Sequence, residues 1–275
     1  MSQADILLEK KLFIFDLDGT VYLGGKPFDF AVRFINRLRE SGRRVLFFTN
    51  NASHSATFYH TKLSALGFEP RRDEIMTAGD VTLEFILRHR PGKSVYLLGT
   101  SELRRDWRVR GIKLVSDDDV NLGVRADIVV SSFDTELTYE RLTHAVLLIR
   151  QGAEYLCTHP DRVCPTEDGF IPDSGAIAAA IASATGKSPQ FFGKPGRETV
   201  DMILEVTGSR LSDICVFGDR LYTDIALGKK NGITSCLVLT GETTETDLER
   251  VADDAMPDIV IPSLAEADSM MFGTN

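Results

Sequence analysis

Lys11-Leu12-Phe13-Ile14-Phe15-Asp16-Leu17-Asp18-Gly19-Thr20 is the stretch on which the reading of this chain turns. It begins as a short apolar run without polar alternation, as in a strand covered on both faces. It ends in two carboxylates two residues apart, followed by a glycine. In an extended chain residues i and i+2 point the same way, so Asp16 and Asp18 can share one pocket. Gly19 lets the backbone turn without a Cβ clash. Neighbouring carboxylates repel, and they are tolerated beside a divalent cation or where one keeps a proton. A plain turn with an N-capping aspartate uses the same residue types.

Outward from this stretch, similar runs recur: Val45–Phe48, Val95–Leu98, Ile128–Val130, Tyr155–Cys157, Gln190–Phe192, Ile214–Phe217 and Cys236–Leu239. Between them lie amphipathic stretches. Ala31, Phe34, Ile35 and Leu38 follow helical spacing and end at Gly42, and Leu142, Ala145, Val146 and Ile149 do so before Gly152. The alanine-rich Ser174–Gly186 reads as a tightly packed helix. Strands alternating with helices predict an α/β fold built from βαβ units on a parallel sheet. In such sheets ligands bind beyond the carboxyl ends of the strands, so the residues just after each run are where chemistry is expected.

Three further strand ends carry polar groups. Val45–Phe48 leads into Thr49-Asn50-Asn51 and Ser53, which suit either a phosphate cradle at a helix N-terminus or ordinary helix capping. Gln190–Phe192 leads into Gly193-Lys194-Pro195-Gly196, where the lysine meets an anion at the sheet edge or is solvated in a turn. Ile214–Phe217 leads into Gly218-Asp219 and on to Thr223-Asp224, which offer the hard oxygen ligands that Mg²⁺ prefers, or a turn and an N-cap. Each motif alone is modest. Together, in this order, they supply metal-binding carboxylates, a nucleophile, a hydroxyl donor and a lysine for phosphate charge. That set describes a phosphoryl-transfer site.

Composition bounds the rest. The 275 residues are 43% hydrophobic and 26% charged, which excludes disorder, collagen-like repeats and coiled coil, and leaves one large domain or two modest ones. A net charge of −9, from 31 basic and 40 acidic residues, argues against a nucleic-acid polymer or an anionic membrane as partner. Cys157, Cys164, Cys215 and Cys236 show no metal or disulfide spacing and read as reduced thiols. Asp16 interrupts the N-terminal apolar run before a signal peptide can form, and no segment nears the ~20 apolar residues of a membrane span. A soluble, cytoplasmic protein is expected.

The motifs resemble those of the haloacid dehalogenase superfamily: Asp16–Thr20, Thr49-Asn50-Asn51, Gly193-Lys194-Pro195, and Gly218-Asp219 with Thr223-Asp224. Within it the chain is most similar to the subgroup of NagD-type nucleotide phosphatases, para-nitrophenyl phosphatases and pyridoxal phosphate phosphatase. Leu239-Thr240-Gly241, Pro257-Asp258 and Ser263-Leu264-Ala265 extend the likeness. The resemblance implies a Rossmann-like core, 1–91 and 188–275, interrupted by a smaller α/β cap of 96 residues, 92–187. It also implies Asp16 as the nucleophile that becomes an aspartyl-phosphate and Asp18 as general acid and base. Thr49 and Lys194 would bind the phosphoryl group, and Mg²⁺ would be held by Asp16, the Asp18 carbonyl, Asp219 and Asp224. The cap's substrate loop would be Cys157–Asp161 with Pro172–Gly175, which makes His159 a substrate-binding candidate where relatives often carry Asn. Asn50 and Asn51 join it as substrate-binding candidates.

The implied function is a Mg²⁺-dependent phosphatase of small phosphorylated metabolites: sugar phosphates, nucleoside monophosphates or pyridoxal phosphate. The family also allows pairing of two chains through the cap. A phosphomutase on the same core is the enzymatic alternative, and a receiver-like phospho-accepting switch the non-enzymatic one. The cap weighs against the switch, which needs an open face. Dehalogenation is disfavoured because a halide leaving group has no use for an acid at Asp18, and a membrane ATPase because spans are missing.

Overall fold

The computed structural model describes residues 2–166 and 169–273. It divides into two compact units. The first comprises the residues up to Thr49, Thr57–Met76 and those from Lys194 on; the second comprises Asn50–Ala56 and Thr77–Gly193.

The first unit is built on a six-stranded sheet in the order Ile259–Ile261, Thr234–Val238, Ile214–Gly218, Leu12–Phe15, Arg44–Thr49, Ile75–Thr77. Leu12–Phe15 pairs in parallel with Ile214–Gly218 on one side and Arg44–Thr49 on the other. All four of its residues are buried, as a central strand covered on both faces requires. Phe217 stacks on Phe15 with ring centroids 5.1 Å apart and meets Phe34 edge-on at 6.0 Å. Phe34 comes from the helix Asp29–Glu40, whose buried face is Ala31, Phe34, Ile35 and Leu38, the stripe that the spacing predicts. An antiparallel hairpin, Tyr22–Leu23 with Lys26–Pro27, follows the first motif.

The second unit has its own parallel sheet of five strands, in the order Gln190–Phe191, Glu154–Cys157, Ile128–Ser131, Ser94–Leu98, Lys113–Leu114. Its core gathers Tyr96, Leu98, Val129, Ala145, Leu148, Ile149, Ile177 and Ile181. Ile177 and Ile181 lie on the helix Ser174–Thr185, capped by Asp173 and closed by Gly186 at φ 71°. Trp107 is fully buried, a core residue.

The compact units differ from the expected ranges at both ends of the cap, 77–193 against 92–187. Gln190–Phe191 hydrogen-bonds to Glu154–Cys157, so the strand before Lys194 extends the second sheet and does not enter the first. The helix Ala78–His89 is tied to the same unit by Arg110, which pairs with Asp80 and, at 2.9 Å, with Glu84, and by Phe85 against Phe192 at 4.9 Å. Among the described residues no helix is long and apolar enough to cross a membrane. Cys157, Cys215 and Cys236 are free and buried, and burial pushes their thiols up, away from reactivity.

Candidate active site

Asp16, Asp219, Asp224 and Lys194 converge in the first unit. Asp16 leaves the central strand with its N–H donating to the Phe217 carbonyl at 2.9 Å, which fixes it beside the neighbouring strand end. Asp219 caps that neighbouring strand. One oxygen from each of Asp16, Asp219 and Asp224 lies within 4.8 Å of the others. Asp219 accepts the Glu242 N–H on Oδ2 at 2.7 Å, while its buried Oδ1 has no hydrogen-bond partner. A buried carboxylate oxygen left unsatisfied among two further carboxylates fits a divalent cation with oxygen ligands.

Glycines make this crowding feasible. Gly19 has φ +83°, and a Cβ there would stand 2.5 Å from Asp219 Oδ2. Gly218 faces the Asp224 side chain so closely that a Cβ would overlap it. Asp224 sits in a single wide helical turn, Leu221–Ile225, and accepts the Arg220 N–H at 3.2 Å and the Thr223 hydroxyl at 3.3 Å on Oδ2. Wide turns of this kind are frequent at functional sites. Asp224 is thus neither an N-cap nor solvent-facing.

Lys194 is 2% exposed and points inward. Its Nζ pairs with Asp16, lies 2.7 Å from Asp224 Oδ1, and donates to the Phe48 carbonyl at 3.2 Å. The solvated-turn reading of this lysine is therefore set aside. Burial works against its ammonium, but Asp16 and Asp224 more than offset that and hold its pKa above the usual lysine value. Burial pushes Asp16 up to about 7, against the pull of Lys194 and with repulsion from Asp224 and Asp219. Burial and the Asp224 charge likewise push Asp219 up to about 6. Three carboxylates and one ammonium leave an excess of negative charge that a dication would neutralise.

Asp18 is exposed, and its side chain stands outside the three-carboxylate group. Thr49 ends its strand 8% exposed, in the same unit. The other expected residues fall in the second unit. Asn50 donates from Nδ2 to Asp161 at 3.0 Å. Asn51 Oδ1 accepts the Ser53 N–H at 3.0 Å and its hydroxyl at 2.6 Å, the capping role that its residue type allowed. His159 is 0% exposed, with Nδ1 facing Asp161 at 3.5 Å and Nε2 facing Asp173 at 3.4 Å. Each ring nitrogen thus has a carboxylate facing it, and the ring is enclosed within the second unit.

The loop after Thr234–Val238 contributes groups that the motifs alone did not mark. Thr240 Oγ1 donates to the Gly19 carbonyl at 2.6 Å, and the Thr243 N–H donates to the Asp219 carbonyl at 3.2 Å. With the Glu242 amide they lock the two acidic loops together. The signal was Leu239-Thr240-Gly241, whose glycine would clash with Asp219 if it carried a Cβ. Arg220, paired with Glu242 at 2.9 Å, adds a second cation. Burial opposes its charge, but Asp16 leads the groups that outweigh this and raise its pKa.

Three clustered carboxylates and a buried lysine beyond the carboxyl ends of a parallel sheet form the kind of arrangement that phosphoryl-transfer chemistry uses. Residues 13–113 match the haloacid dehalogenase-like hydrolase model, and residues 191–267 a HAD-hydrolase-like model. The chain is 36% identical over 240 residues to an acid sugar phosphatase of Staphylococcus saprophyticus, covering 87% of this chain and 90% of that protein. It superposes on a 4-nitrophenylphosphatase from Thermotoga maritima with TM-score 0.88 and 41% identity, covering 95% of this chain and 97% of the other. A glycerol phosphate phosphatase from Mycobacterium tuberculosis, solved with magnesium, gives TM-score 0.84 at 31% identity, covering 97% of this chain and 78% of that one. The chain belongs to the haloacid dehalogenase-like hydrolases, in the branch of NagD-type and 4-nitrophenyl phosphatases.

Proposed function

We propose that this protein is a Mg²⁺-dependent phosphatase that hydrolyses small phosphomonoesters through an aspartyl-phosphate on Asp16. The observation that carries the reading is the Asp16–Lys194–Asp224 chain beside the unsatisfied Asp219 oxygen. Asp16, the Asp18 carbonyl, Asp219 and Asp224 would hold the cation. When bound, it would screen the repulsion between an anionic nucleophile and an anionic ester.

The Asp16 carboxylate attacks phosphorus as the bond to the alcohol oxygen breaks. Lys194 pulls that carboxyl toward its ionised form, against burial, and with Thr49 would stabilise charge on the transferring oxygens. Asp18, exposed at the mouth of the loop, gives its proton to the departing alkoxide. It then takes a proton from water, whose oxygen attacks the phosphoryl group and frees Asp16 and inorganic phosphate. Splitting the reaction in two gives each half a lower barrier. The relatives named for sugar phosphates, 4-nitrophenyl phosphate and glycerol phosphate share a small phosphomonoester, which supports that substrate class. Free, buried cysteines support a reducing, cytoplasmic setting.

Purified protein with Mg²⁺ should release phosphate from para-nitrophenyl phosphate, and EDTA should stop it. Turnover that persists in EDTA would sink the metal-dependent reading, and no turnover on any of a panel of phosphorylated metabolites would sink the phosphatase reading.

A further inference from the structure

Lys62 lies on the helix Ala56–Ala65. Its Nζ donates to the Tyr22 hydroxyl at 3.1 Å and sits 4.2 Å from the centre of the same ring. No ion pair among the described residues includes it. Tyr22 is no counter-charge: it is 2% exposed, and burial raises its pKa, so the phenol stays neutral. Tyr22 is in turn fastened to the acidic loop. Its carbonyl accepts the Gly19 N–H at 2.8 Å, and it forms a backbone bridge with Asp18. Lys62 is therefore clamped, through one aromatic residue, to the loop that carries Asp18. Burial lowers the pKa of its ammonium, and the charge of Asp18 works the other way.

A lysine with no functional task extends its head into water. Here the head is half-buried against a ring and a phenol, without a carboxylate in ion-pair reach, and cations in such places normally have an anion to meet. We infer that Lys62 is a specificity-determining residue that receives a second anionic group carried by the alcohol portion of the phosphomonoester. The inference rests on the reading of Asp18 as the acid at the leaving oxygen, because that places the alcohol on the side of the site where Lys62 stands.

The test measures binding and turnover on the full chain with Mg²⁺. In calorimetric titrations wild type should bind 3-phosphonopropionate about tenfold more tightly than propylphosphonate, the worth of one charge-assisted contact. Lys62→Gln should abolish that difference, and Lys62→Arg should retain most of it. In turnover, the kcat/KM ratio of phosphoglycolate to ethyl phosphate should fall about tenfold in Lys62→Gln. Equal losses for both members of a pair, or an unmoved ratio, would overturn the role of Lys62 and leave the phosphatase reading intact. Lys62-dependent phosphonate binding without hydrolysis of any ester would do the reverse.

Discussion

Asp16 and Asp219 hold protons more tightly than free carboxyls because burial and the nearby Asp224 charge disfavour their ionised forms. An unfolded chain ionises them near 3.8, whereas the folded chain without cation does so at about 7 and about 6. Between those values the folded state binds more protons than the unfolded one, so stability declines as pH rises. Cation-free protein should therefore lose thermal stability from pH 5 to pH 8, and the rise in Tm on adding Mg²⁺ should be larger at pH 8 than at pH 5. A Mg²⁺-induced shift that shrank with pH would contradict the assignment of these carboxylates to the metal. The same residues divide in their effects on turnover. Asp16→Asn should cost on the order of 10³-fold or more in kcat, since the nucleophile is lost. Asp18→Asn should keep Mg²⁺ affinity, because only a backbone carbonyl is needed there, yet lose roughly 10²- to 10⁴-fold. Steady-state kinetics beside Mg²⁺ titration separates the two; near-normal activity in either variant removes it from its role.

At the scale of elements, the loops after strands do the positioning, and what was legible in them depended on how local the cause was. Asp16, Asp219, Asp224 and Lys194 were readable because each follows an apolar run; parallel pairing of two of those runs brings the three aspartates together, whereas the inward aim of Lys194 is seen only in its contacts with Asp16 and Asp224. Gln190–Phe191 was misplaced because a short apolar run looks alike in either sheet; only its hydrogen bonds to Glu154–Cys157 assign it. The Tyr22–Leu23 and Lys26–Pro27 hairpin escaped notice because each strand is two residues long. For His159 the residue type was legible but not its surroundings, which come from Asp173, 14 positions along the chain at the start of the helix Ser174–Thr185. That geometry gives the loop Cys157–Asp161 a structural clasp. His159→Ala would leave Asp161 and Asp173 facing an empty space, and should destabilise the second unit by about 2–4 kcal/mol. Chemical denaturation followed through Trp107, which lies in that unit, measures it. An unchanged midpoint would show that the ring holds nothing together.

Over the whole molecule, two parallel sheets have separate cores and separate tasks. The first unit, centred on Phe15, Phe34 and Phe217, carries every carboxylate of the proposed metal site and Lys194. The second, centred on Tyr96, Leu148 and Ile181, carries none of them. The net charge of −9 is therefore unevenly meaningful: three of its carboxylates are gathered where a cation would neutralise them. A ligand that binds the folded state stabilises the elements it touches, and local opening energies differ between cooperative units. Mg²⁺ should accordingly slow amide hydrogen exchange in the full chain at the loops around Asp16–Gly19, Gly218–Asp224 and Thr240–Thr243. The amides of Arg220, Glu242 and Thr243, which donate to Asp224 or Asp219, should respond most. Exchange in the strands Ser94–Leu98 and Ile128–Ser131 should stay as it was, because no residue of theirs belongs to the carboxylate group. Protection that appeared equally in both sheets would mean that the cation acts by global stabilisation of one cooperative body, and protection confined to the second sheet would place the metal elsewhere.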